Sequence, residues 1–233
     1  MKRLLGYFTK TEWLLWSLSA LAVLLSFLIF DRGSYLTLAA SLIGVSALIF
    51  YAKGNPVGHV LGIAFGLLYA IISYDMAYYG EMITYLGMSV PMAFIALISW
   101  LRNPYKGNRA EVRIGHMKPR EFVWLGLLTL AVTVVFYFIL KHFHTANLIP
   151  STVSIATSFA AVYLSFRRSE LFTLAYAAND VVLLVLWVMA STIDRGYLSV
   201  VTCFLAFLVN DIYGYINWSR MKKRQNGNIS KKA

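Results

Sequence analysis

Two acid–amide pairs stand inside long apolar runs: Asn179-Asp180 in YAANDVVLLVLW (residues 176–187) and Asn210-Asp211 in FLAFLVNDIYGYINW (residues 204–218). An ionised carboxylate at bilayer depth costs roughly 2.5–3.5 kcal/mol, so such a residue faces a polar cavity or a partner. Helical spacing extends the patch. Tyr176, Asp180, Leu183 and Trp187 fall at i, i+4, i+7 and i+11 on one face, and Asn210, Tyr213, Gly214 and Asn217 share another. Glu81, Tyr85 and Met88 form a stripe, and Phe65 and Tyr69 lie one turn apart. Rings bind planar or cationic groups, and amides and acids bind hydroxyls and carboxamides. A cationic aromatic nucleoside suits all three. The candidate ligand-binding set is Tyr176, Asn179, Asp180, Asn210, Asp211, Tyr85, Phe65, Tyr69 and Trp187.

Plainer roles compete for several of these residues. Asn210 and Asn217 could bond a neighbouring helix, and Asp211 could pair with a cation from the C-terminal tail. Trp13, Trp100, Trp124 and Trp218 fit an interfacial belt better than a site, unlike Trp187. Tyr and Phe stripes also serve packing, Glu81 near a span end could be solvated, and Gly58, Gly62 and Gly66 suit close helix contact. His59, His116, His142 and His144 are scattered, with no HExxH, no Cys/His cluster and no nucleophile–base grouping. No metal, no cofactor and no enzymatic activity are expected.

The elements that must position these residues are membrane helices. The chain has 233 residues, 59% hydrophobic and 13% charged, too apolar for a soluble domain. Its apolar blocks run to about 20 residues, the length that crosses a bilayer core. Eight spans are predicted: Thr11 to Phe30, Ser34 to Tyr51, Val57 to Tyr74, Tyr79 to Leu101, Pro119 to Leu140, Asn147 to Phe166, Leu171 to Ser191 and Tyr197 to Trp218. The start, MKRLLGYFTKTEW, does not resemble a cleaved signal. The single cysteine, Cys203, excludes an intramolecular disulfide.

With a cytoplasmic N-terminus, 18 of the 21 Lys and Arg residues fall on inner segments, and only Arg32, Lys141 and Arg195 fall outside. That bias puts both termini in the cytoplasm. It assigns the net charge of +11 to topology and the membrane surface rather than to nucleic acid, with the end of the tail unstructured. Asp180 and the Asn210-Asp211 pair then share one depth, ~12–14 Å from the inner face at ~1.5 Å per residue.

Spans two to four and six to eight read as two three-helix units in the same orientation, separated by span five. This predicts an all-α polytopic membrane protein with one N-terminal helix, left over and peripheral, plus a 3+1+3 core of parallel repeats. The expected division is N-terminal helix 1–33, first bundle 34–101, cytoplasmic loop 102–118, linker helix 119–146, second bundle 147–219 and basic tail 220–233. Parallel repeats are a transporter architecture, with substrate at the interface near midplane and access alternating as the halves move.

At YGEMITYLGMSVPM…W (residues 79–100) and NDVVLLVLW…LVNDIYGYINW (residues 179–218) the chain resembles the PnuC-type nicotinamide riboside transporters. The resemblance covers most of spans two to eight. It implies a SWEET-like core, a homotrimer in the bacterial cell membrane, and facilitated diffusion of nicotinamide riboside with cytoplasmic phosphorylation trapping the substrate. The family's ligand-binding pattern has a Trp followed four residues later by Asn on the seventh span; here Tyr176 and Asp180 stand there. The aromatic is kept and the amide has become an acid. An acid suits the pyridinium of nicotinamide riboside and equally the thiazolium of thiamine, and deoxynucleoside carriers also resemble this group. A proton-coupled carrier, with Asp180 or Asp211 titrating, and a membrane-embedded enzyme or scaffold are the remaining alternatives.

Overall fold

In hydrocarbon every backbone N–H and C=O must bond within its own segment, so each apolar block closes into one helix. The structure, a computed structural model, describes residues 6–75, 78–145 and 147–230. The helices are α1 (Lys10–Phe30), α2 (Tyr35–Ala52), α3 (Val57–Asp75), α4 (Tyr79–Leu101), α5 (Pro119–His142), α6 (Leu148–Phe166), α7 (Leu171–Ser191) and α8 (Leu198–Ser230). Among the described residues, these eight spans are long and apolar enough to cross a membrane.

Local chemistry sets the helix ends. Thr9 and Glu12 form a capping box, in which Glu12 N–H donates to Thr9 Oγ1 at 3.2 Å and Thr9 N–H to Glu12 Oε2 at 2.7 Å. Gly54 takes a positive φ of 65° between α2 and α3, and Asn55 Oδ1 then caps α3 by accepting from Val57 N–H at 3.0 Å. Asp194 does the same for the short 3₁₀ turn Arg195–Tyr197, accepting from Gly196 N–H at 2.8 Å. One end of the bundle gathers Lys53, Arg167 and the tail, and is called the basic end here; the other carries Tyr78 and Tyr197.

The core lies where α2, α3, α4, α6, α7 and α8 meet, with α8 packed on α7, α2 and α1, and α6 on α7, α5 and α4. The linker α5 stands outermost and exposes Trp124, Leu127, Leu130, Val135 and Phe138.

Several expectations are corrected. The two halves are not built as SWEET-like parallel repeats. In the first, α4 is interrupted at Tyr85–Ser89 by a π-helical turn; in the second, α8 runs unbroken for 33 residues. The first helix is not peripheral either: Trp16 Nε1–H donates to Ser46 Oγ at 3.1 Å, Ser26 Oγ–H to Thr202 Oγ1 at 2.9 Å, and Lys53 Nζ–H to Glu12 at 3.0 Å. The segment expected as a plain loop holds a hairpin, β1 (Pro104–Tyr105) and β2 (Asn108–Val112), turning at Lys106 and Gly107, both at positive φ. Val112 N–H donates to Gly54 O at 2.8 Å, and Gln225 of α8 grips the segment from the other side, accepting from Ile114 N–H at 2.9 Å. The tail therefore continues as helix, pairing Lys222 with Glu170 and Arg224 with Glu111; residues 231–233 lie outside the described residues.

Candidate functional site

A cavity of about 90 Å³ lies in the middle of the bundle. Helices α2, α3, α4, α6, α7 and α8 all contribute walls. Its polar side is the α7–α8 hairpin. Asp180 and Asp211, 3% exposed each, face the cavity from adjacent helices, their carboxyls near enough to act on one another. Asp180 keeps its Oδ2 without a partner. Asn179 accepts at Oδ1 from Thr157 Oγ–H at 2.8 Å and Ser158 Oγ–H at 2.9 Å. With its carbonyl so occupied, its NH₂ is the group left for the cavity.

The other walls are aromatic. Tyr51 and Tyr176 face each other with ring centroids 6.5 Å apart and planes 29° from parallel. Phe65 and Phe207 meet edge to face at 5.2 Å, and Tyr85 closes the α4 side. Small residues make room for these rings. A Cβ at Gly62 would come within 2.2 Å of the Tyr51 hydroxyl, and one at Gly44 within 2.3 Å of Phe207. The glycine stripe on α3 is therefore close packing of a particular kind: Gly58 and Gly62 seat Tyr51, while Gly66 abuts Val90 of α4.

Aromatic clusters cap both ends of the cavity. Toward the basic end, Trp100, Phe172 and Trp218 pack beneath Tyr51, with Trp218 Nε1–H donating to Tyr51 O at 2.8 Å and Trp100 Nε1–H to Ser165 O at 2.8 Å. His59 is buried here, its ring nitrogens 3.3 Å from the Tyr51 hydroxyl and from Ser165 Oγ. Toward the far end, Trp187 Nε1–H donates to the Tyr69 hydroxyl at 2.7 Å, and Trp187 packs on Tyr78 and Tyr197. Burial, and next the Tyr197 phenol, push the Tyr78 phenol up against an opposing hydrogen bond with Asn147.

Of the residues singled out from the sequence, Tyr176, Asn179, Asp180, Asp211, Tyr85 and Phe65 line this cavity. Three do not. Tyr69 and Trp187 sit behind the wall as the far-end closure. Asn210 turns away to α1, where its Nδ2 donates to Ser19 Oγ at 2.9 Å and to Ala206 O at 2.7 Å; there the interhelical role prevails. Asn217 likewise donates to Ala52 O at 2.7 Å. Among the described residues, Asp211 forms no ion pair with the tail. Trp100 and Trp218, expected in an interfacial belt, are 1% and 0% exposed, whereas Trp13 and Trp124 are exposed. Glu81 is not solvated but 1% exposed. Among the described residues no group of three His, Cys, Asp or Glu side chains could hold a metal ion.

Tyr51 and Ser158 are among the lining residues that the sequence reading does not single out. Tyr51 continues a readable stripe on α2, Gly44, Ala47, Leu48 and Tyr51. Ser158 belongs to a buried serine stripe on α6, Ser151, Ser154, Ser158 and Ser165, at helical spacing.

Comparison with known proteins places this arrangement. Residues 34–220 match the family described as nicotinamide mononucleotide transporter. A nicotinamide riboside transporter PnuC of Neisseria mucosa is 28% identical, over 97% of this chain and 87% of that protein. One of Haemophilus influenzae is 25% identical, over 83% of each. A crystal structure of the vitamin B3 transporter PnuC superposes with a TM-score of 0.82 at 25% identity, covering 94% of both chains. That overlap is too extensive for the two three-helix units alone. It gives the molecule the PnuC architecture of eight membrane helices and overturns the SWEET-like repeat. With the family match spanning most of the sequence, the chain belongs to the nicotinamide mononucleotide transporter family of multi-pass bacterial membrane transporters.

Proposed function

We propose that the chain carries nicotinamide riboside by facilitated diffusion, and that it does so in preference to the mononucleotide. The observation behind this reading is the charge of the cavity. Its lining includes Asp180 and Asp211 and, among the described residues, no Lys, Arg or His. A phosphate would meet the acid pair without a cation to hold it. A pyridinium riboside carries one positive charge, and two neighbouring buried carboxyls, which like charge keeps from ionising together, offer one negative charge in return.

In this reading the nicotinamide ring enters between Tyr51 and Tyr176. A ring held on both faces needs centroids about 7 Å apart, twice a carbon contact of ~3.5 Å, so the 6.5 Å slot opens only slightly. The Asp180–Asp211 pair lies beside the ring, the Asn179 NH₂ meets a ribose hydroxyl, and Phe65 and Tyr85 cover the opposite side. The two aromatic closures occlude the site, one of them opening at a time. A cytoplasmic basic end and cytoplasmic termini belong to this reading, supported by the Lys and Arg distribution. Assembly as a homotrimer belongs to the same proposal and is read from the mass of the purified protein in detergent.

Uptake into proteoliposomes tests the substrate. Labelled nicotinamide riboside enters and equilibrates without an imposed gradient, and unlabelled riboside competes. The mononucleotide and neutral deoxynucleosides compete poorly. Equal competition by the mononucleotide would refute the charge argument, and preferential uptake of thiamine would reassign the cation.

A further inference from the structure

Among the described residues, Glu81 is the buried carboxylate that neither the central cavity nor an ion pair accounts for. It lies in the first turn of α4, is 1% exposed, and neither carboxylate oxygen has a hydrogen-bond partner among the described residues. The four ion pairs among the described residues use Glu12, Glu111, Glu121 and Glu170, and none reaches Glu81. The hydroxyls of Ser154, Ser73 and Thr145 are likewise buried and without a hydrogen-bond partner among the described residues. A purely structural carboxylate in such a place would be paired, because an unpaired one is costly. Four unpartnered polar groups at the far end suit a site that is occupied in another state of the molecule.

Its neighbours connect it to the cavity. Tyr85, one turn deeper on α4 than Glu81, lines the cavity together with Asp180. It therefore stands between the far-end carboxylate and the central acid pair. Tyr69, the acceptor from Trp187 in the far-end closure, is within reach of Glu81. The π-helical turn begins at Tyr85 itself, and such turns mark places where a helix adjusts at functional sites.

We propose that Glu81 is an outer recognition site for an organic cation, which it meets before the Tyr69–Tyr85–Trp187 closure passes the cation to Asp180 and Asp211. The inference rests on the substrate and orientation proposed above. In the outward-open state the carboxylate faces the access path and draws in the positively charged ring. In the occluded state it is shut behind Tyr85. A single acid lining a narrow path raises the capture rate of a cation and leaves a neutral molecule unaffected.

The test compares kcat/KM for uptake of nicotinamide riboside with that of its neutral dihydro form, in proteoliposomes of wild type, Glu81→Gln and Glu81→Asp. Glu81→Gln lowers the cation-to-neutral ratio about tenfold, while Glu81→Asp stays within about threefold of wild type. An unchanged ratio in Glu81→Gln, or the same fall in both variants, would overturn the proposal. If Glu81→Gln does not reconstitute, Glu81→Asp decides alone: a retained ratio supports the site, and a lost one refutes it. Wild type that carries neither riboside overturns the substrate reading and this inference with it. Wild type that carries the cation with a ratio insensitive to Glu81→Gln overturns only the outer site.

Discussion

Replacing the cavity's two aspartates by asparagine, singly and together, separates charge from shape. On the proposed reading, the neighbouring buried carboxyls of Asp180 and Asp211 share one proton, because like charge keeps both from ionising together; one then acts as a donor, the role an amide NH₂ fills. In Asp180→Asn or Asp211→Asn the remaining carboxylate accepts from the amide and the single negative charge survives. Both variants should bind nicotinamide riboside within about fivefold of wild type, a change of roughly 1 kcal/mol. The double variant keeps the shape and loses the charge. At ~5 Å and an effective dielectric near 20, a unit charge pair is worth about 3 kcal/mol, so affinity for the cation should fall roughly 100-fold. Affinity for the neutral dihydro riboside should hardly move. Isothermal titration in detergent, with the thermal midpoint as a folding control, reads both ligands. Single variants as weak as the double, or an equal loss for the cation and the neutral form, would refute the argument that the pair acts as one charge.

Other substitutions probe different parts of the account. Gly62→Ala pushes a methyl group into the Tyr51 hydroxyl, 2.2 Å away; overpacking of this kind costs about 1–3 kcal/mol, and the loss should appear in riboside affinity as Tyr51 is displaced. Asn210→Ala removes the bond to Ser19 and should lower the thermal midpoint, by an interaction of about 0.6–1.7 kcal/mol, with affinity intact; a lost affinity would return Asn210 to the site. Asp31, between α1 and α2, is pushed up by burial against bonds from Ser199 and Ser34. With its folded value above the unfolded one, its stabilising contribution is fully present below the unfolded value and is lost as pH rises through the folded one. The midpoint of Asp31→Asn should therefore exceed that of wild type by about 1–2 °C at pH 7 and approach it toward pH 4. A difference that stays constant with pH would assign the effect elsewhere.

The eight spans were legible because hydrocarbon forces one regular solution on a 20-residue apolar block. The common depth of Asp180 and Asp211 was legible because helical rise is fixed. Asn210 was misplaced for a reason the sequence contains. Neighbouring residues on a helix point about 100° apart, so the cavity that receives Asp211 turns Asn210 toward another helix, and α1 was at hand. Tyr51 escaped notice because it sits at a span end, where rings also serve the interface. The hairpin of β1 and β2 was hidden because two strands alone are marginal; its support comes from Gly54 and Gln225, distant in sequence. The repeat was read from loop lengths, which do not show a π-helical turn on one side and a 33-residue helix on the other.

A structure of the protein with nicotinamide riboside bound tests the central claim most directly. The account predicts the pyridinium ring between Tyr51 and Tyr176, with the Asp180–Asp211 pair beside it and the ribose at Asn179. A ring stacked elsewhere, with the two tyrosines still in mutual contact and the acid pair beyond reach of the positive charge, would contradict it.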